Sequence, residues 1–277
     1  MNKILVPTDF SEPSKVAVLY AARLAKNLDA KITLLAVVNL NTASHNVISK
    51  QRLLDAMIEG AQDDAAQLIA EINAKLKVDI SFDFKWISGF PIHDKIEKFV
   101  VSNEMDMIVM GTKGATGLKK VLIGSNAAAV IDNSSVPVIA VPDNAQFESI
   151  TKIVYATDLV NVNEEIKTIG MFASLFDAAI HVLHVQPANS VNLVEENDTK
   201  KELIKQAKNE KIEFTITQSD HIAEAVETFA QQEKADLLVM FTHKLDFYEK
   251  LFGRGVTREL AFHGHVPLLT FNKTTLQ

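Results

Sequence analysis

The fold of this chain is indicated most clearly by residues 106–126, DMIVMGTKGATGLKKVLIGSN. The apolar run Met107–Met110 near its start predicts a buried strand. At its other end, Asn126–Ile131 predicts the first turns of a helix. A strand that leads through glycines into the N-terminus of a helix is a place where proteins hold phosphate.

The loop between this strand and this helix contains a glycine pattern. Gly111 and Gly114 are followed, after nine more residues, by Gly124 and Ser125. Glycine lets backbone N–H groups turn towards an anion, and a helix N-terminus adds unpaired donors and partial positive charge. The pattern is neither a Walker A loop nor the dinucleotide motif Gly-x-Gly-x-x-Gly. Tight turns alone would also account for the glycines, but their position after a strand favours phosphate binding.

The chain contains an internal duplication. The first half carries, in order, the segments Lys3–Asp9, Ile32–Val38, Asp106–Met110 and Val136–Val141, and the second half matches them with Lys152–Asp158, Ile180–Val185, Asp236–Met240 and Val266–Phe271. The period is far too long for a solenoid repeat. We therefore predict two domains, residues 1–143 and 151–273, joined by a short polar linker.

Each half alternates apolar strands with amphipathic helices. In the first half, Val16, Leu19, Tyr20 and Leu24 recur at helical spacing. Continuous apolar strands separated by helices predict an α/β fold with a parallel sheet covered on both faces. Ligands of such sheets bind at the carboxyl ends of the strands, near the point where the strand order reverses.

The overall composition excludes several classes of function. A net charge of −7 over 277 residues argues against general affinity for nucleic acid or anionic membranes. The chain has no cysteine, which excludes disulfides, thiolate metal sites and cysteine nucleophiles. No apolar stretch reaches the ~20 residues of a membrane span, and the first residues lack a signal-peptide pattern. We expect a cytoplasmic protein.

With these residues in place, the chain resembles a tandem universal stress protein. The family motif Gly-x-x-Gly, nine residues, then Gly-Ser/Thr is matched once, in the first half, and the resemblance extends over both halves. It implies two flavodoxin-like sandwiches, each with a five-stranded parallel sheet. The closing strands of such domains pair across a dimer in the family, so the two halves are expected to form an intramolecular pseudo-dimer. Further association into a homodimer is left open.

The resemblance also implies that the first half binds ATP, together with Mg²⁺ or Mn²⁺. Asp9 would lie near the ribose, the backbone of Val37 or Val38 near adenine, and the glycine loop around the phosphates. The predicted nucleotide-binding residues are Pro7, Thr8, Asp9, Val37, Val38, Met110, Gly111, Lys113, Gly114, Gly124, Ser125 and Asn126. Asp9 and Ser11 can instead cap the first helix, which is compatible with ribose binding.

The second half departs from the motif. The alignment puts Phe241 opposite Gly111, and Lys244, Arg254 and Gly255 opposite Gly114, Gly124 and Ser125. We predict that this half does not bind ATP in the family's usual way. Three alternatives remain for this half. It can be a degenerate copy that only supports the first half structurally, a site for a different anion, or a contact surface for a partner.

A second difference concerns a histidine. The second strand often ends in His-Val in the family, as His184-Val185 does here, whereas the first half has Ala36-Val37. We interpret this histidine as a packing residue.

Three classes of function follow from this sequence. The first is an ATP-binding stress-response regulatory protein, the second a slow ATPase and the third an adaptor that needs no nucleotide. We name no catalytic residue, because no histidine lies in the first-half motif and ribose would occupy Asp9. His263 and His265 lack an identifiable third ligand, so we predict no protein metal site.

Overall fold

A computed structural model describes residues 1–38, 47–77, 80–112, 125–188, 196–242 and 266–272. These residues divide into two compact units, one up to Asn144 and the other from Ala145 onwards. The division falls inside the polar segment that joins the two halves of the duplication.

The first unit is a parallel sheet with helices between its strands. Its elements are β1 (Lys3–Thr8), α1 (Glu12–Leu28), β2 (Lys31–Val38), α2 (Val47–Leu76), β3 (Phe82–Ser88), α3 (Ile92–Asn103), β4 (Met107–Gly111), α4 (Ser125–Asn133) and β5 (Val138–Val141). The strands lie in the order β3-β2-β1-β4-β5, and all their pairings are parallel. The order reverses between β1 and β4, which is where such a sheet places its ligand site.

The second unit repeats this plan. Its elements are β6 (Lys152–Thr157), α5 (Val162–Ser174), β7 (Ala179–Gln186), α6 (Glu196–Ala207), β8 (Ile212–Gln218), α7 (Ile222–Gln232), β9 (Leu237–Thr242) and β10 (Leu268–Asn272). The strand order β8-β7-β6-β9-β10 is the same as in the first unit. The predicted fold class, a five-stranded parallel α/β sandwich in each half, is confirmed.

Burial explains why the strands are so apolar. Ile4, Leu5 and Val6 of β1 have no exposed surface, since helices cover the central strands on both faces. Edge strand β3 alternates half-buried and exposed residues instead. Helix α1 buries Tyr20 and Leu24 as its spacing predicts.

In both units, one aspartate oxygen accepts hydrogen bonds from two backbone N–H groups at the start of the central strand. Oδ2 of Asp106 accepts hydrogen bonds from the backbone N–H groups of Asn2 (2.6 Å) and Lys3 (3.0 Å). Oδ2 of Asp236 does the same for Thr151 (2.7 Å) and Lys152 (2.9 Å). The duplication therefore extends to single hydrogen bonds that set where the central strand begins.

Among the described helices, none is both long and apolar enough to cross a membrane.

Candidate functional site

The carboxyl edge of the first sheet brings together three of the predicted segments. Thr8 of β1 pairs with Ala36 of β2, so Val37 and Val38 extend just beyond it. Ile4 pairs with Met107 of β4, so Thr8 and Gly111, each four residues further on, lie at the same level. The ends of β2, β1 and β4 are therefore neighbours at the point where strand order reverses.

The turn that follows β1 is held by its own side chains. Oγ1 of Thr8 accepts a hydrogen bond from the N–H of Phe10 (3.1 Å). Oδ1 of Asp9 accepts from the N–H (3.1 Å) and the hydroxyl (2.5 Å) of Ser11. Phe10 has φ 58°, a left-handed conformation that costs a non-glycine residue about 1 kcal/mol or more. These hydrogen bonds compensate for that cost and fix the exposed Asp9 at the edge of the sheet.

Helix capping at this turn differs from the simplest expectation. Ser11 occupies the N-cap position of α1, with a proline in the first turn, but its side chain makes no capping bond. Its hydroxyl donates to Asp9 instead. The Asp9 carboxylate thus stabilises the turn that leads into the helix, and Ser14 completes the arrangement with a hydroxyl contact to Thr8 of 3.1 Å.

The remaining predicted residues of the first unit differ in their burial. Val38 and Met110 are buried, at 6% and 7% exposure, and Val37 and Gly111 are half-buried. Pro7 is half-buried within β1. Helix α4 runs from Ser125, one residue before the predicted first turn at Asn126, and Asn126 is exposed. Lys113, Gly114 and Gly124 lie outside the described residues.

The second unit keeps the turn after its central strand. Oγ1 of Thr157 accepts from the N–H of Leu159 (3.0 Å), and Oδ1 of Asp158 accepts from the N–H of Val160 (3.0 Å). Leu159 has φ 66°, matching Phe10. Because this conformation survives where the glycine motif does not, the Thr-Asp turn has a structural role of its own.

The end of β9 differs sharply from the end of β4. Leu237 pairs with Ile153 just as Met107 pairs with Ile4, so Phe241 occupies the place of Gly111. The Phe241 ring is buried, stacks on Phe271 at 5.1 Å between centroids and meets Tyr155 edge-on at 6.0 Å. Aromatic side chains therefore fill the second unit where the first has a glycine. Lys244, Arg254 and Gly255 lie outside the described residues.

Tyr155, a member of this aromatic cluster, also forms a buried polar pair with Glu165 of α5. The Tyr155 hydroxyl donates to Oε2 of Glu165, and both residues are at most 1% exposed. Burial, and then the negative charge of Glu165, raises the pKa of Tyr155 well above its usual range. Sequence reasoning missed this pair, although a tyrosine within an apolar strand and a glutamate on the buried stripe of α5 were visible signals.

The first unit has apolar residues in the same two positions. Val6 lies two residues before Thr8, as Tyr155 lies two before Thr157. A residue with left-handed backbone follows each helix, Asp29 after α1 and Asp177 after α5. Counting back twelve residues from it gives Ala17 in the first unit and Glu165 in the second, so these two positions correspond. The polar pair is therefore specific to the second unit.

His184, interpreted from the sequence as a packing residue, makes a hydrogen bond to the neighbouring strand. Its Nδ1 lies 2.9 Å from the carbonyl oxygen of Thr157, to which an Nδ1–H donates. This hydrogen bond joins the ends of β6 and β7. The register puts Ala36 opposite Thr8 in the first unit, so the same edge there carries no such side chain.

In the described ranges, no group of three or more His, Asp or Glu side chains is arranged to hold a metal ion.

Comparison with known proteins gives a consistent picture. The sequence model of the universal stress protein family matches residues 1–142 and again 149–272. A universal stress protein of Methanocaldococcus jannaschii is 31% identical over 141 residues, which cover 50% of this chain and 81% of that protein. A universal stress protein of Synechocystis is 22% identical over 291 residues, which cover 98% of this chain and all of that protein.

Similarity to solved structures also extends across both halves of the chain. The crystal structure of a universal stress protein from Archaeoglobus fulgidus covers 98% of this chain and 96% of its own, with a TM-score of 0.70 and 20% identity. At that identity the likeness shows the fold, and it extends over both halves of the duplication.

Proposed function

Because this chain belongs to the universal stress protein family, with two copies of the family's domain in tandem, we propose that it is an ATP-binding regulatory protein whose first unit holds the nucleotide. The observation that carries the proposal is the meeting of Asp9, Val38 and Gly111 at one edge of the first sheet. That edge is where open parallel sheets bind nucleotides.

The chemistry of these groups suits a nucleotide. The exposed Asp9 carboxylate has the acceptor capacity to bind ribose hydroxyls while Oδ1 holds the turn. Val37 and Val38 offer apolar contact and backbone groups to adenine, and Gly111 allows close approach of the backbone beside Met110.

The phosphates would lie against Lys113, Gly114, Gly124, Ser125 and Asn126, at the start of α4. Pro7 and Thr8 would set the end of β1 beneath the ribose. A Mg²⁺ or Mn²⁺ ion would enter with the phosphates, its ligands being phosphate oxygens and water, since the described residues offer no acidic cluster of their own.

The second unit is proposed not to bind ATP in the same way. Phe241 supports this, because its buried ring lies where the nucleotide would need backbone access. ATP in the first unit would regulate by favouring one of two states of the protein, since a ligand shifts an equilibrium only through different affinities for the two states.

Isothermal titration of the full chain with Mg-ATP tests the proposal, with Asp9→Asn and Asp158→Asn as a matched pair. Asparagine retains an oxygen that can accept from the turn and loses the carboxylate's charge. We expect one ATP per chain, about tenfold weaker binding for Asp9→Asn, and no change for Asp158→Asn.

Three results would overturn the proposal. No binding to the wild-type chain would leave the adaptor function. Two ATP per chain, or weaker binding for Asp158→Asn, would mean that the second unit binds nucleotide. Rapid phosphate release that a single side-chain change abolishes would make the protein an ATPase.

A further inference from the structure

The turn after β3 carries an aromatic ring in solvent. Phe90 is 73% exposed, the highest value among the exposed large apolar side chains of the described residues. Single exposed apolar residues are common and need no explanation by themselves. Phe90 differs from the other exposed apolar residues in its position, near the proposed nucleotide site.

Phe90 lies beside the end of β2. Ser88, the last residue of β3, pairs with Val38, the last residue of β2, in parallel register. Parallel neighbours end at the same edge of a sheet, about 4.8 Å apart. Phe90 follows Ser88 by two residues, so the turn that carries it lies beside the end of β2, the segment proposed to contact the base.

A lysine is folded over the same turn. Gly89 has φ 125°, and a Cβ added there would lie 2.5 Å from Cε and 3.0 Å from Nζ of Lys95. Lys95 is half-buried one turn into α3, and its ammonium group has no hydrogen-bond or ion-pair partner among the described residues. The turn after β3 therefore carries an exposed phenyl ring, and the side chain of a cationic donor lies over its glycine.

The second unit lacks both groups. Gln186 pairs with Gln218 as Val38 pairs with Ser88, which puts Asp220 in the place of Phe90 and Ala225 in the place of Lys95. Oδ1 of Asp220 accepts from the N–H of Ala188 at 3.1 Å, so its carboxylate is used in the fold. The aromatic–cation turn occurs in the unit whose glycine motif is intact.

We propose that Phe90 and Lys95 form the base-binding end of the nucleotide site. The ring of Phe90 stacks on the base, and the Lys95 ammonium donates a hydrogen bond to a ring nitrogen. A purine offers a larger face for stacking than a pyrimidine, so these residues favour purine nucleotides. The inference rests on the proposed function of the first unit.

The test titrates the full chain with ATP and with UTP, which share ribose and triphosphate and differ in the base. We expect wild type to prefer ATP. Phe90→Ala should weaken ATP binding about tenfold, in the range found for base–aromatic stacking, and weaken UTP binding by less, since a pyrimidine offers a smaller face. Phe90→Trp should retain the preference, and Val101→Ala, at another exposed apolar site on α3, should behave as wild type.

Lys95→Met is titrated with ATP and with inorganic tripolyphosphate. A donor to the base predicts several-fold weaker binding of ATP and unchanged binding of tripolyphosphate. Weaker tripolyphosphate binding would show that Lys95 contacts phosphate and would overturn its assignment to the base.

The outcomes separate this inference from the proposed function. A wild-type chain that binds no ATP refutes the proposed function itself. A chain whose ATP binding depends on Asp9 but is the same in Phe90→Ala refutes only the base-binding role. An equal loss for ATP and UTP refutes the preference for purines. Trp86, the only tryptophan and two residues before Ser88 on β3, gives a fluorescence signal for each titration.

Discussion

Phe241 occupies in β9 the position that Gly111 occupies in β4. The five strands have the same order and register in both units, so the difference is local. The first unit has a glycine at this position, and the second has a buried aromatic ring. Around the ring, Phe271 and Tyr155 complete a packed cluster. The edge of the sheet that is proposed to bind a ligand in the first unit contributes to the core in the second.

Truncating this ring should destabilise the second unit. Phe241 is 3% exposed, and Phe241→Ala is expected to lower the free energy of unfolding by about 3–5 kcal/mol, the usual cost of a phenylalanine-sized cavity. Urea unfolding followed by circular dichroism measures the change. Trp86 lies in the first unit, so its fluorescence should report an unchanged transition there.

Phe90→Ala is the control for this experiment. The side chain is 73% exposed, so its removal should change stability by no more than about 0.5 kcal/mol. Equal effects of the two variants would contradict the packing role of Phe241. Phe241→Gly should not create a second ATP site, because the three other motif positions are also changed.

Removing the Tyr155 hydroxyl should cost stability at neutral pH and change the response to alkali. Tyr155→Phe leaves the buried Glu165 without this donor, at a cost of about 1–3 kcal/mol. The raised pKa of Tyr155 means that only the unfolded chain ionises this residue as the pH rises past about 10. The wild-type stability should therefore fall with pH there, and the advantage over Tyr155→Phe should shrink.

Glu165→Gln separates the causes of this behaviour. Burial is the main reason for the raised pKa of Tyr155, and the charge of Glu165 comes second. The alkaline loss of stability should thus persist when the charge is removed. Its disappearance in Glu165→Gln, measured by urea unfolding between pH 8 and 11, would assign the effect to the charge instead.

An ion cluster at the start of β6 should stabilise the second unit except in acid. Oε2 of Glu233 lies 3.0 Å from Nζ of Lys152 and 3.3 Å from Nδ1 of His181, and the hydrogen bond from Lys152 is the main cause that lowers the pKa of Glu233. A lowered carboxyl pKa stabilises the fold above the unfolded value, near 4.3, and this contribution is lost as the pH falls through the folded value.

Glu233→Gln should therefore be less stable than wild type at pH 7 by about 0.5–1 kcal/mol, since the cluster is partly exposed. The difference should shrink as the pH falls below about 4.3, the unfolded value, and vanish below the lowered pKa of Glu233 in the folded chain. Glu213→Gln, which removes a more exposed pair with Lys200, should have a smaller effect. A difference that stays constant from pH 7 to pH 3 would show that packing, not charge, is responsible.

Two helical glycines should respond oppositely to alanine. A Cβ on Gly170 of α5 would overlap the carbonyl oxygen of Ala207 and lie 3.0 Å from its Cα, at the contact between α5 and α6. Gly170→Ala should destabilise the second unit by about 1–3 kcal/mol. Gly60 of α2 has nothing within 4 Å of that position, so Gly60→Ala should stabilise the first unit by about 0.5–1 kcal/mol. Denaturant midpoints that move in the same direction would contradict this interpretation.

Much of the fold was accessible from the sequence, because it depends on local patterns. Apolar strands, helical spacing and repeated landmarks are properties of neighbouring residues, so the parallel α/β fold and the duplication follow from them. The family resemblance rested on short contiguous motifs for the same reason, and the match of the family's sequence model confirms it. The alignment of Phe241 with Gly111 required only counting along matched strands.

Other features arise only when distant segments meet. The pairing of Tyr155 with Glu165 depends on which face α5 turns towards β6, and the contact between Gly170 and Ala207 depends on how closely two helices approach. The exposure of Phe90 depends on how the turn after β3 leaves the sheet. Periodicity says that a residue faces inward or outward but not which side chain it meets, so the tertiary structure alone decided these contacts.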